Sequence, residues 1–356
     1  MKIALVANHK GWIVERDKRL GGGNIVSNNI FKVLKERGHE IIIIMSGDLE
    51  DETDGNVTVK YINHPVGSTE FSQEALKISS QCDRTINFMT QNIFSGVILQ
   101  SHSYLYRTQR TNKILIPLKR LLYGKKIKEQ NRRFSQFPID FGYAVSEGVK
   151  NDFEKNLGLK NIKVSHLGTK RVYQEFNGEK NDVLTFGLIA NSSSNKSGHY
   201  CVFALWLAKL SGLKFRFKMI APKYDSDLIM KFLLNISGLR KVTDILPKQE
   251  DMTDFYKSID CVLMPSIHES FGLVPLEALS FCKTCLVSDN IGFAEIIDEN
   301  SGFKFNRLSI SSFLKQLKYV GKMFYETPEE FDKIRKNGWE ISTKYTWERF
   351  VDGLIN

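Results

Sequence analysis

Short unbroken apolar runs alternate with segments of helical period along most of the chain. The first run, "KIALVANH", reads as a buried parallel strand ending in polar residues. In "RLGGGNIVSNNIFKVLKERGHE" three glycines lead into a periodic segment. Ile25, Ile30, Phe31, Val33 and Leu34 suit one helix face, and Gly38 closes it as a C-cap before the strand "EIIIIM". The pattern predicts a β-loop-α-β unit with a bare glycine loop at the carboxyl end of its first strand. Strands are also predicted at "RTINFM" and "GVILQSH", followed by a long cationic helical stretch, "NKILIPLKRLLYGKKIKEQNRRF". A strand at "FGYAVSE" and a helix at "GVKNDFEKNLG" come next.

The stretch "HLGTKRVYQEFNGEKND" is polar and aperiodic, which predicts a boundary. The pattern then restarts. "VLTFGLIA", "KFRFKMIAP", "VTDIL", "DCVLMP" and "TCLVSD" read as strands, with helices at "GHYCVFALWLAKLSG", "DMTDFYKSI" and "VPLEALSF". Strand and helix signals alternating in both halves predict two doubly wound, Rossmann-like parallel sheets. The expected division is 1–170, 171–338, and a final amphipathic segment over 339–356 that packs back toward the first half.

A length of 356 residues, 42% hydrophobic and 25% charged, suits two soluble globular domains. The formal net charge of +10 favours anionic partners: nucleotide phosphates, an acidic membrane surface or nucleic acid. Nucleic acid is the least favoured of these, because no helix-turn-helix, zinc-finger or RNP-like motif is present. Five scattered cysteines argue against a disulfide framework and fit a reducing cytosol. Cys282 and Cys285 form a lone CxxC without the further ligands a structural zinc needs, so no metal is expected. The opening apolar run is too short for a signal peptide or anchor, and no later run spans a bilayer. A cytoplasmic protein, peripheral on the membrane's inner face, is the expectation.

Chemistry concentrates in "DCVLMPSIHESFGLVPLEALSF". Glu269 and Glu277 stand eight positions apart around Ser270-Phe271-Gly272-Leu273, just beyond the carboxyl end of a strand, where open α/β sheets bind ligands. The Phe271–Gly272 pair reads as exposed, with its amides close to a helix N-terminus that favours phosphate. Ionised carboxylates only accept hydrogen bonds, and sugars donate many. A phosphate between two hydroxyl-bearing rings describes a sugar nucleotide.

"MPSIHESFGLVPLEALSF" with "CLVSDNIGFAEIIDENSGFKF" resembles the donor-binding signature of retaining, family-4 glycosyltransferases of the GT-B fold. The opening glycine segment, "YAVSEGVKNDFEKNLGLKNIKVSHLGTKRVYQEF" and "KYTWERFVDGL" resemble other parts of that family, so the likeness spans nearly the whole chain. It implies two Rossmann-like domains facing across a cleft, a nucleotide-sugar donor, and no cofactor or metal. Glu277 would accept from the ribose hydroxyls, and Glu269 would contact the transferred sugar. The amides of Phe271, Gly272 and Leu273, together with Ser270, would hold the sugar and distal phosphate. Gly22 and Gly23 would approach the diphosphate, His102 would face the donor sugar, and Lys196 would neutralise the leaving group. One departure stands out: the family's Arg after the strand glycine is here Leu188, following Gly187. Arg216, Lys218 and Lys248 are the candidate replacements.

The cationic stretch over 114–133 combines seven Lys/Arg with one acid, Glu129, and interleaved apolar residues. It reads either as a solvated helix face or as a dock for an anionic bilayer, which would suit a lipid-linked or saccharide acceptor in surface-polysaccharide assembly. Two rivals stay open: transfer to a soluble small molecule, protein or nucleic acid, and a non-catalytic sugar-nucleotide binder.

Overall fold

The computed structural model describes residues 1–7, 22–88, 97–99, 142–157, 160–189, 197–267 and 269–356. The chain divides into two compact units, Met1–Leu167 with Trp347–Asn356, and Gly168–Thr346.

The first unit opens with β1 (Lys2–Val6), α1 (Gly22–Glu36), β2 (Glu40–Ser46), β3 (Glu52–Asp54), β4 (Val57–Ile62), α2 (Thr69–Ser79) and β5 (Arg84–Asn87). It continues with β6 (Val97–Leu99), β7 (Gly142–Ala144), α3 (Glu147–Leu157) and β8 (Ile162–Val164). The sheet order is β3-β4-β2-β1-β5-β6-β7-β8, parallel except for the β3–β4 pair. The strand direction of winding reverses between β1 and β5, a topological switch point. Ile41–Met45 of β2 are all buried, as a central strand covered on both faces requires.

The β3–β4 hairpin and α2 were not predicted from periodicity. Gly55, at φ 59, makes the tight turn of the hairpin, and Ser68 Oγ caps α2 by accepting from the Phe71 amide at 3.0 Å. One register expectation needs correction: Ile25 of α1 is 41% exposed, and Val26 takes the buried position instead. Gly38, at φ 72, ends the α1 segment in the left-handed conformation expected of it.

The second unit contains β9 (Thr185–Ile189), α4 (Gly198–Leu210), β10 (Arg216–Ile220), α5 (Leu228–Ile236), β11 (Thr243–Leu246) and α6 (Thr253–Lys257). It ends with β12 (Cys261–Met264), α7 (Leu273–Ser280), β13 (Thr284–Ser288), β14 (Phe303–Phe305), α8 (Ile310–Glu326) and α9 (Pro328–Lys344). Its six strands are all parallel in the order β11-β10-β9-β12-β13-β14, with the switch point between β9 and β12.

The segment leading into β9 is polar but firmly held. The Arg335 guanidinium, fully buried on α9, donates to the carbonyls of Asn177, Gly178, Glu179 and Cys282 and to Asp332 Oδ1. Buried Asp260 holds the next stretch by accepting from the Asn181 amide, Asn181 Nδ2 and the Thr185 amide. No periodicity marks such a segment, because its order comes from distant polar partners.

The expected tail over 339–356 is two helices rather than one. α9 runs on to Lys344, and the chain breaks at Tyr345–Thr346, where the Thr169 amide donates to the Tyr345 carbonyl at 2.9 Å. α10 (Trp347–Ile355) then joins the first unit. It buries Trp347, Phe350, Val351 and Leu354, pairs Asp352 with Arg37 at 2.7 Å, and accepts from Arg84 Nε at the Ile355 carbonyl. The boundaries therefore fall at 167/168 and 346/347 instead of 170/171 and 338/339. Among the described residues, no helix is long and apolar enough to cross a membrane.

Candidate active site

β12 is buried over its full length and delivers the chain to the carboxyl edge of the second sheet, beside the switch point. A shallow pocket opens there between the ends of β9 and β12 and the first turn of α7. It is lined by Leu188, Ile189, Leu263, Met264, Pro265, Ser266 and Val274. Ser266 is fully buried, and its Oγ has no hydrogen-bond partner among the described residues.

The loop beyond β12 is zipped against the segment that follows β13. Ser288 Oγ donates to the Ser266 carbonyl at 2.7 Å. Asn290 Nδ2 and Arg307 Nη1 both donate to the Ile267 carbonyl, at 2.9 and 3.2 Å. Glu269 forms an isolated parallel bridge with Ile291, and the Phe293 amide donates to the Phe271 carbonyl at 2.7 Å. The Phe271 ring is 2% exposed and meets Phe293 edge-on at 6.2 Å. Phe271 is thus no exposed residue, as its place in the loop suggested. It is the apolar anchor that fixes the loop to the domain.

Gly272 then turns the chain at φ 102, a left-handed conformation that residues with a Cβ adopt only under strain. A Cβ there would lie 3.2 Å from the Met264 Sδ and Cε atoms. This turn starts α7 at Leu273 without any side-chain cap, at the carboxyl edge of the sheet. Behind α7, Gly338 of α9 sits so close that an added Cβ would meet Leu279 Cδ2 and the Ser301 carbonyl at 2.8 Å. The helix is therefore backed tightly while its N-terminus stays open.

Glu277 lies five residues into α7 and is half-buried. Its Oε2 accepts a hydrogen bond from Tyr256 Oη at 2.5 Å. Tyr256 is almost wholly buried and stacks on Phe281 at 5.1 Å. Burial, followed by the adjacent Glu277 charge and the hydrogen bond to it, pushes the Tyr256 phenol well above its ordinary pKa. Tyr256 is therefore a fixed neutral donor that orients the carboxylate. That bond takes one of about four acceptor positions on a carboxylate.

Glu269, Ser270, Phe271, Gly272, Leu273 and Glu277 are thus brought together around one helix N-terminus beside the switch point. Gly22 and Gly23 belong to the first turn of α1 rather than to a loop before it. They follow β1, so connectivity puts them at the carboxyl edge of the first sheet. His102, Lys196, His268 and the stretch 114–133 lie outside the described residues. Of the suggested replacements for the absent Arg, Arg216 begins β10 and pairs in register with Thr185, at the amino edge of the sheet, away from the pocket. Lys218 is mid-strand, and Lys248 follows the outermost strand, β11. Leu188 itself is 2% exposed and belongs to the apolar core. Among the described residues, no group of three or more His, Cys, Asp or Glu side chains is arranged to hold a metal ion.

Comparison with solved structures covers the whole architecture. Sucrose-phosphate synthase from Thermosynechococcus elongatus superposes with a TM-score of 0.74 at 12% identity, over 99% of this chain and 97% of that one. Anabaena HepE in complex with UDP and glucose superposes with a TM-score of 0.70 at 14% identity, over 99% and 98%.

The fold is GT-B.

Residues 230–338 of this GT-B chain match the family described as glycosyl transferases group 1. The chain is 31% identical over 123 residues to D-inositol 3-phosphate glycosyltransferase of Saccharomonospora viridis, which is 33% of this chain and 27% of that relative. It therefore spans about a quarter of that relative's length. Three residues of the candidate site were not singled out from the sequence. Tyr256 orients Glu277, and Asn290 and Arg307 together pin the Ile267 carbonyl. They sit 21, 23 and 40 positions from their partners, so no local spacing could have shown them.

Proposed function

We propose that this protein is a retaining, metal-independent glycosyltransferase of the family-4 kind, moving a sugar from a nucleoside-diphosphate donor to an acceptor hydroxyl. Its setting is the assembly of bacterial surface polysaccharide, on a lipid-linked or saccharide acceptor at the inner membrane face. The reading rests most on one observation: the open N-terminus of α7, turned by Gly272 and flanked by Glu269 and Glu277, beside the switch point of the second sheet. A diphosphate there meets backbone amides at the helix start and the positive end of a helix dipole. Glu277, held by Tyr256, accepts from the ribose hydroxyls, and Glu269 accepts from hydroxyls of the transferred sugar. The match of 230–338 to glycosyl transferases group 1, and the UDP and glucose held by the HepE neighbour, support the donor class.

In the proposed reaction the acceptor oxygen bonds to the anomeric carbon as the bond from that carbon to the phosphate oxygen breaks. The acceptor proton passes to the departing phosphate on the same face, which retains configuration. Amide dipoles stabilise the charge that develops on the leaving group.

A thermal-shift panel of UDP-, GDP-, ADP- and TDP-sugars identifies the donor, since a ligand of the folded state raises its stability. Transfer and donor hydrolysis are then measured with the hit. Glu269→Gln should lose turnover while retaining nucleotide binding. No shift with any donor overturns the reading. A second reading, a sugar-nucleotide binder without turnover, is favoured by apolar Leu188 standing where the resembling family has Arg. A thermal shift without transfer or hydrolysis would select it.

A further inference from the structure

In the second unit, α4 and α5 run side by side. His199, at the start of α4, places Nε2 3.0 Å from the carboxylate of Asp227, the N-cap of α5. At the other end, Lys209 Nζ donates to the Gly238 carbonyl just past α5, at 2.7 Å. Tied at both ends in the same sense, the two helices are parallel neighbours. Each turns an apolar stripe to solvent. On α5, Leu228, Ile229, Phe232 and Ile236 are 75, 62, 62 and 49% exposed. At about 100° per residue they fall within an arc of roughly 100°. On α4, Phe203 and Leu210 are 39 and 69% exposed and lie seven residues apart, on one face.

Single exposed apolar residues need no explanation, but a stripe of four on one short helix does. Met230 and Leu234 already fill the inward face of α5, so the outward stripe is surplus to the core. The segment that carries both helices is one-sided in charge. Residues 199–241 carry eight Lys/Arg against two acids. Both acids are engaged: Asp225 lies 3.8 Å from Lys231, and Asp227 is held by His199 and the Met230 amide. Among the described residues, none of Lys214, Lys223, Arg240 and Lys241 pairs with an acid. A second copy of this chain on the same face would bring those like charges together, which isologous contact disfavours. An anionic leaflet complements both features, taking apolar side chains below its headgroups and cations at them.

We propose that the α4–α5 face of the second unit docks on an anionic lipid bilayer. Phe232, Ile229 and Leu228 enter the headgroup–acyl boundary, and Lys214, Lys223, Arg240 and Lys241 meet the phosphates. This surface is separate from the stretch 114–133, and its test needs no transferase activity. Each cation held near an anionic leaflet strengthens binding roughly fivefold, so salt screens it.

The test is co-sedimentation of the full chain with phosphatidylglycerol–phosphatidylcholine vesicles and with phosphatidylcholine alone, at low and high salt. Wild type should bind the anionic vesicles and be released by salt. Ile229→Asp/Phe232→Asp should lower the partition constant at least about tenfold. Leu308→Asp, at a residue 79% exposed elsewhere on the same unit, should leave it unchanged. Thermal unfolding of each variant separates lost docking from lost folding. Absence of binding by wild type overturns the proposal. So does binding that survives the double substitution, even where charge reversal within 114–133 abolishes it. A concentration-dependent dimer that the double substitution dissociates, without vesicle binding, overturns it in favour of a second copy.

Discussion

Tyr256→Phe removes one hydroxyl and nothing else from the site. The ring is nearly inaccessible and stacked on Phe281, so its packing survives and no cavity forms. The bond to Glu277 Oε2 is lost. A hydrogen bond to a charged group contributes about 1.5–3 kcal/mol. Because Glu277 is half-buried, water replaces part of that, and a stability loss of about 1 kcal/mol is expected. The larger consequence is for the donor. Without Tyr256 the carboxylate loses a group that orients it, and ordering it at the moment of binding costs up to about 0.5–1.5 kcal/mol. At 1.4 kcal/mol per factor of ten, the donor Kd should rise about two- to twelvefold. Titration calorimetry with UDP, or with the nucleotide giving the largest thermal shift, measures this directly. Since the Tyr256 phenol is pushed well above its ordinary pKa, wild-type affinity should show no alkaline titration from this group below its ordinary value near 10. An unchanged Kd in the variant, with or without a lower Tm, would refute the role given to Glu277.

Gly272→Ala forces a Cβ into a left-handed backbone at a cost of about 1–2 kcal/mol. Because relief requires moving the α7 amides, nucleotide affinity should fall more steeply than Tm, which calorimetry and thermal unfolding compare. Arg335→Met removes the buried donor shared by the Asn177, Gly178, Glu179 and Cys282 carbonyls, of which Glu179's keeps Lys283 and only Cys282 is a buried residue. A loss on the order of 2–3 kcal/mol is expected, and Tm should fall by roughly 5 °C. Acid stability should depend on two carboxylates. The Ser301 hydroxyl, opposed by burial and aided by the Asn300 amide, holds Asp298 below its ordinary 3.8. At Asp227 burial opposes ionisation, but the Met230 amide and His199 outweigh it and the carboxyl is again lowered. Both folded pKa values are depressed, so their contribution is complete above pH about 4 and is lost as pH falls below it. Asp298→Asn should flatten that acid limb in a Tm-against-pH series.

The alternation of apolar runs and helical periods determined by itself that this chain forms two doubly wound sheets, because buried parallel strands and their crossover helices each have a local signature. It also located the Glu269–Glu277 loop, since a strand end, a glycine and a helix start fall within a dozen residues. Periodicity did not show where the tail splits. The break at Tyr345–Thr346 lies between two helical patterns, and the partner that marks it is Thr169. Nor did it show that Phe271 faces inward, because loop residues lack the regular spacing that assigns a face. Only the tertiary structure decided which distant groups set the site's geometry. Tyr256 on Glu277, Asn290 and Arg307 on Ile267, and Arg335 on the 177–179 segment all act through space. A polar contact across dozens of residues leaves no trace in local pattern, because its direction and distance exist only once the sheets have formed.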